Sequence, residues 1–160
     1  MTKLMAMSAA AAAALLLIAA GTASAGERIK ESGHEAFRTN VWDVLELDEG
    51  HSVAWWRGEG VYFDDDPSAA SHLSTADCAG TYESMPDETY KGSGFCTYTD
   101  RDGDKHFLKW WEGSDMEESR YEYIGGTGKY TGLGGGGTYT AEELTDTLST
   151  FTTKGVMEFP

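Results

Sequence analysis

Between Tyr123 and Tyr139 the chain reads YIGGTGKYTGLGGGGTY, with eight glycines in seventeen residues. Glycine reaches φ > 0 without steric cost and lets neighbouring backbones approach closely, so such a run suits sharply bent strands. Aromatic and β-branched residues flank it: Tyr121, Tyr123 and Ile124 before, Thr138, Tyr139 and Thr140 after. We read two strands meeting at a barrel corner, with a reversal at Gly126-Thr127-Gly128-Lys129. A flexible linker fits less well, because Tyr130, Thr131 and Leu133 stand where a linker would use serine.

Nucleotide sites are poorly served by the same run. A phosphate-binding G-x-x-x-x-G-K-[ST] loop would need glycine at 123 and a hydroxyl residue at 130, and both positions are tyrosine. Gly132, Gly134 and Gly137 do match G-x-G-x-x-G. That motif works by opening a helix whose N-terminus holds pyrophosphate, and no clear helical pattern follows.

The amino terminus carries the signature of an export signal. Lys3 precedes an apolar run from Met5 to Ala20, and Ala23-Ser24-Ala25 forms an A-x-A cleavage site. Residues 1–25 are therefore expected to be a signal peptide and 26–160 one domain, placing the protein in the periplasm or outside the cell. Without Lys3 the chain keeps 11 basic against 27 acidic side chains. That surface repels phosphate backbones and anionic lipids, which argues against nucleic-acid or membrane-surface partners. We read the acidity as a solubility device in preference to cation recruitment. Abundant aromatics and scarce helical periodicity point to an all-β domain.

Phe37–Leu47 and Ser52–Phe63 read as strands joined at Asp48-Glu49-Gly50, but both faces carry apolar residues and leave the inner face unassigned. Asp64-Asp65-Asp66-Pro67 and the small residues up to Thr75 form a loop whose carboxylates suit a solvated turn better than a cation. Pairing Ala76–Ser84 with Tyr90–Thr99 about Met85–Glu88 sets Cys78 across from Cys96, Glu83 from Lys91 and Tyr82 from Gly92. Two cysteines so placed in an exported chain predict a structural disulfide, worth about 3 kcal/mol in the chain-entropy model.

Asp100-Arg101-Asp102-Gly103-Asp104 resembles the start of a calcium loop, but no glutamate stands at its twelfth position. A turn with Gly103 in the left-handed conformation explains it without a metal. Taking Gly113-Ser114 as the next two-residue turn opposes Lys105 to Glu122, Lys109 to Glu118 and His106 to Tyr121. Alternation then places Glu83, Lys91, Lys105, Lys109, Glu118 and Glu122 outside. Inside fall Cys78, Tyr82, Cys96, Tyr98, His106, Leu108, Trp110, Glu117, Tyr121 and Tyr123. Phe95, Phe107 and Trp111 lie together on the outer face as a candidate contact between subunits. Ala141–Asp146 is a turn of helix or a polar loop, and Leu148–Phe159 is a last strand. Eight strands can close a barrel with no free edge.

With those strands in place, YIGGTGKYTGLGGGGTY resembles the glycine-rich strand-turn-strand signature of allene oxide cyclase barrel-like and dirigent-like proteins. CTYTDRDGDKHFLKW followed by GGTGKYTGLGGGGTY is also similar to small exported bacterial proteins of undefined role. The resemblance implies an eight-stranded antiparallel β-barrel, allene oxide cyclase-like or calycin-like, and carries over no catalytic position.

Hydrolase and zincin signatures are absent, and His34, His51, His72 and His106 lack ligand spacing. Three functions remain. The first is a non-enzymatic carrier holding a small hydrophobic or aromatic ligand among Tyr82, Tyr98, His106, Trp110, Tyr121 and Tyr123. The second is a cyclase or isomerase that needs no cofactor or metal, with His106, Glu117 and Tyr121 moving protons, against which stands a hydrogen-bonded core histidine. The third is a filled barrel that assembles with copies of itself through Phe95, Phe107 and Trp111.

Overall fold

The computed structural model describes residues 26–160, and the expected signal peptide lies outside the described residues. Eight strands follow in chain order: β1 (Arg28–Asp48), β2 (His51–Asp64), β3 (Thr75–Ser84), β4 (Tyr90–Thr99), β5 (Lys105–Gly113), β6 (Ser119–Gly126), β7 (Gly134–Thr145) and β8 (Leu148–Glu158). Each pairs antiparallel with the next, and β8 returns to β1, so the sheet closes into a barrel. Gly50 and Gly103 take the positive φ (73° and 91°) that their turns require.

The β3–β4 register is the expected one. Cys78 opposes Cys96, Tyr82 opposes Gly92 and Glu83 opposes Lys91. The two cysteines form a disulfide with Cα atoms 4.1 Å apart.

The β5–β6 register corrects the sequence reading. Lys109 opposes Glu122, not Glu118, Trp110 opposes Tyr121, and His106 opposes Gly126 rather than Tyr121. The connection is longer than two residues because Met116 N–H bonds back to Gly113 C=O, and Ser114 is tied to Tyr90 through both its backbone N–H and its hydroxyl. Since the slip spans an even number of residues, every inward side chain stays inward. Glu117 does not share in this: it falls in the loop and is exposed.

Two elements differ from their expected form. Ala141–Thr145 continues strand β7, because its ladder with Leu148–Phe151 of β8 overrides the helix preference of alanine, glutamate and leucine. β1 begins at Arg28, nine residues before the expected Phe37. Its inner face is Glu31, Gly33, Glu35 and Phe37, and a bulge between Thr39 and Val41 then switches the alternation so that Trp42 faces the same side as Trp56. That switch is why both faces of this hairpin read as apolar.

The barrel's two ends differ. One is sealed: the link from β6 to β7 crosses it through a 3₁₀ turn (Gly128–Tyr130) and buries Tyr130 (1% exposed) and Leu133 (3%) beneath the interior. At the other end β1 runs past its last partner in β8, Leu148, and continues as a strand paired on one side only, with β2, whose same residues also pair with β3.

Candidate functional site

Alternation along all eight strands sends large rings inward, and they leave a cavity of about 70 Å³ among them. That is room for several waters. Its walls include Phe37, Trp56, Tyr98, Trp110, Tyr121 and Tyr123, with the disulfide on one side. A wider groove across the outer faces of β1 to β4 has no buried unpaired polar atom among its lining residues.

Sequence reasoning missed two carboxylates in the interior. Glu31 and Glu35 sit four residues apart on the inward face of β1, 8% and 4% exposed. Nothing in their types predicted this, since glutamate in a strand normally faces water. The only available signal was their phase with Gly33 and Phe37 on a period of two. Glu31 Oε1 accepts from the hydroxyls of Tyr121 (2.6 Å) and Tyr123 (2.5 Å). Burial raises the Glu31 pKa, and the two hydroxyls pull it back only in part.

Glu35 is less well satisfied. Its Oε2 accepts from Tyr98 Oη at 3.0 Å, while its Oε1 has no partner. Burial pushes its pKa up to about 7, against the opposing Tyr98 hydrogen bond. The same burial holds the Tyr98 hydroxyl protonated, with the Glu35 charge adding to the effect.

His106 lies on the floor of the cavity, stacked on Tyr98 (centroids 4.8 Å, planes 4° apart) and resting on Tyr130 at 4.9 Å. Burial drives its pKa down to about 4, so the ring is neutral at neutral pH. Its Nδ1 has no partner, and neither does the indole Nε1 of Trp110, 5% exposed.

The residues expected to form the site are therefore only partly brought together. Tyr82, Tyr98, His106, Trp110, Tyr121 and Tyr123 all line the cavity. Glu117 does not, and the carboxylates facing that space are Glu31 and Glu35. On the outer wall Phe95 is 60% exposed, whereas Phe107 and Trp111 are half-buried and Lys109 Nζ lies 5.2 Å from the Trp111 ring centroid.

The sealed end is held by charge. Lys129 Nζ bonds Asp100 at 2.8 Å and Asp102 at 2.5 Å, with Asp104 3.8 Å away. The three carboxylates that looked like part of a calcium loop thus converge on an ammonium from the glycine-rich link. At the same end Asp64 is buried and accepts from Ser71 Oγ at 2.9 Å, and Asp65 accepts from Ser32 Oγ at 2.6 Å.

No protein-family model matches the sequence, and no curated protein is similar enough to show kinship. Solved structures do match the fold. The pterocarpan synthase dirigent protein GePTS1 superposes with a TM-score of 0.53 at 13% identity, over 84% of this chain and 87% of its own. The chain shares the fold of that dirigent barrel.

A second pterocarpan synthase dirigent protein, PsPTS1, superposes with a TM-score of 0.52 at 12% identity, over 83% of this chain and 96% of its own. A protein of unknown function from the DUF3224 family of Shewanella oneidensis MR-1 gives 0.50 at 8% identity, over 81% and 96%. At such identities the likeness concerns the fold, and the chemistry of this barrel is read from its own interior.

Proposed function

We propose that the protein is an exported, non-enzymatic barrel that binds a small aromatic molecule carrying at least one polar group. The observation that carries this reading is the set of buried polar atoms without partners, Glu35 Oε1, His106 Nδ1 and Trp110 Nε1, on side chains that line an otherwise apolar cavity. A solute that bonds these atoms replaces the water the cavity can hold and buries its apolar surface among the rings, so polar groups and apolar area act together. A cavity of about 150 Å³ holds benzene, and this one is smaller. Half-buried Tyr82 and Phe151, which line it, are the side chains that give way for a ring. Titration with 4-ethylphenol tests the reading: quenching of tryptophan fluorescence together with a rise in Tm is expected, and neither change across a panel of phenols would overturn it.

One observation favours a second reading, a cyclase or isomerase acting on an unsaturated molecule. Glu35 titrates near neutrality with a free oxygen on the cavity side, so it is able both to give and to take a proton. Two neighbours are named synthases, and the glycine-rich segment resembles that of the allene oxide cyclases. In this reading Glu35 takes the role first assigned to Glu117, with His106 and Tyr121 beside it. Loss of turnover in Glu35→Gln with ligand affinity retained would support it, and unchanged turnover would remove it.

A further inference from the structure

The charge that composition spread over the whole surface is concentrated by the fold. Four hairpin loops surround the end opposite the Tyr130 plug, the end we infer to be open: residues 46–51, 84–90, 113–119 and 141–147. They carry three, two, three and three carboxylates, and no lysine or arginine. Rims of one sign raise the local concentration of the opposite ion at a cleft.

Inside that rim lies one carboxylate with a defined setting. Glu112 Oε2 accepts from Tyr139 Oη at 2.8 Å and from Ser119 Oγ at 3.3 Å, and among the described residues Glu112 forms no ion pair. Across the sheet Glu112 opposes Gly92, which in turn opposes Tyr82. A Cβ on Gly92 would stand 2.5 Å from the Tyr82 ring, so glycine is what lets that ring lie across β4 toward Glu112. After burial, the Glu112 charge is the largest influence raising the Tyr82, Tyr90 and Tyr139 hydroxyls. The Trp42 ring lies 5.3 Å from that of Tyr82, and the Tyr90 ring lies 6.4 Å from it.

We propose that Glu112, Trp42, Tyr82 and Tyr90 form a subsite for the cationic amine of the ligand, whose hydrogen-bond acceptor lies deeper, on the Trp110 indole N–H. Of the four only Tyr82 also lines the cavity, and aromatic faces beside a carboxylate favour a cation through ring quadrupoles and direct charge. Trp110 and Glu112 are two residues apart on the inward face of one strand, about 7 Å by strand rise. The ligand class is thus a flat arylalkylamine with its oxygen and nitrogen about that far apart. Trp110 Nε1–H, buried and without a partner, supplies the second contact that a lone acidic rim lacks.

This inference rests on the ligand-binding reading above, and the test separates the two. Affinities of tyramine and 4-ethylphenol, which differ by the amine, are measured on the full protein, on Glu112→Gln, on Trp42→Ala and on the rim control Glu118→Gln. Glutamine keeps the oxygen that Tyr139 and Ser119 bond, and unchanged Tm values show that the variants fold. Tyramine is expected to bind wild type about tenfold tighter than 4-ethylphenol, the scale of one cation–π and charge contact. That preference should fall to less than about twofold in Glu112→Gln and weaken in Trp42→Ala, while Glu118→Gln leaves it intact. Equal affinity of wild type for both probes overturns the subsite and leaves the ligand-binding reading standing. A preference that survives Glu112→Gln but vanishes in high salt also overturns it, since the rim alone then suffices. Binding of neither probe overturns both.

Discussion

The two ends of this barrel solve opposite problems with the same residue types. At the sealed end the acidic clusters have partners: Lys129 Nζ bonds both Asp100 and Asp102, and hydroxyl donors hold Asp64 and Asp65. At the open end eleven carboxylates crowd four loops without one lysine or arginine. Residue type alone therefore says little about what an acidic stretch does. What decides it is whether a partner stands within reach. The sealed end uses its charge for structure; at the open end Asp48 and Asp87 accept from Glu49 N–H and Thr89, but no cationic side chain of those loops answers the rest of the charge.

The comparison breaks most easily through the apolar plug. Tyr130→Ala at the sealed end should cost about 3–5 kcal/mol, the usual price of truncating a buried aromatic. Trp42→Ala, at the open end with 52% of its surface exposed, should change stability by less than about 0.5 kcal/mol. Urea unfolding of both variants checks the contrast, and equal losses would mean that the open end is not open. The disulfide joins strands between the two ends, so Cys78→Ala/Cys96→Ala should lower stability by about 3 kcal/mol.

Acid and base inside the barrel sharpen the contrast with the charged rims. Glu35 titrates near 7 in the fold against an ordinary value of 4.5, so the folded state holds the extra proton between those values. Its contribution is fully present below pH 4.5 and is lost as pH rises to 7, by about 3 kcal/mol. His106 has the opposite sign: with a folded value near 4 and an ordinary value of 6.5, the unfolded state holds the extra proton. Stability from that residue therefore grows between pH 4 and 6.5, by a similar amount. The two slopes offset each other in the native protein, with Glu31 leaning the same way as Glu35. Each single variant should unmask its opposite. His106→Phe should become less stable as pH rises from 4.5 to 7, and Glu35→Gln should hold its stability better than the native protein over the same range. A small effect is expected from Lys129→Met, about 1 kcal/mol and reduced in high salt, because the pair is partly exposed.

Much of the sealed and central barrel was legible from residue types. Cys78 and Cys96, Tyr82 and Gly92, and the inward run from Tyr98 to Trp110 followed from turn positions and alternation, which tolerate an error of an even number of residues. The β5–β6 pairing did not follow. A two-residue turn and a longer loop both satisfy a Gly-Ser pair, and the ion pairs that supported the shorter one also fit poorly screened surface charge. The open end and the first hairpin were hidden for a different reason. A bulge near Asn40 reverses which side chains face inward, and Glu31 and Glu35 are polar residues in core positions, where alternation of polarity points the wrong way. The candidate site lies where local rules are broken, which is what a binding interior requires.

The central claim is that a solute reaches the interior from the open end and bonds its unpaired polar atoms. Indole N–H resonances report this residue by residue, because Trp56 and Trp110 line the cavity while Trp55 and Trp111 face outward. On titration with 4-ethylphenol the Trp110 indole signal should move most and Trp56 should follow, with Trp55 and Trp111 unchanged. A Trp110 signal that stays fixed while the outer indoles shift would contradict the account.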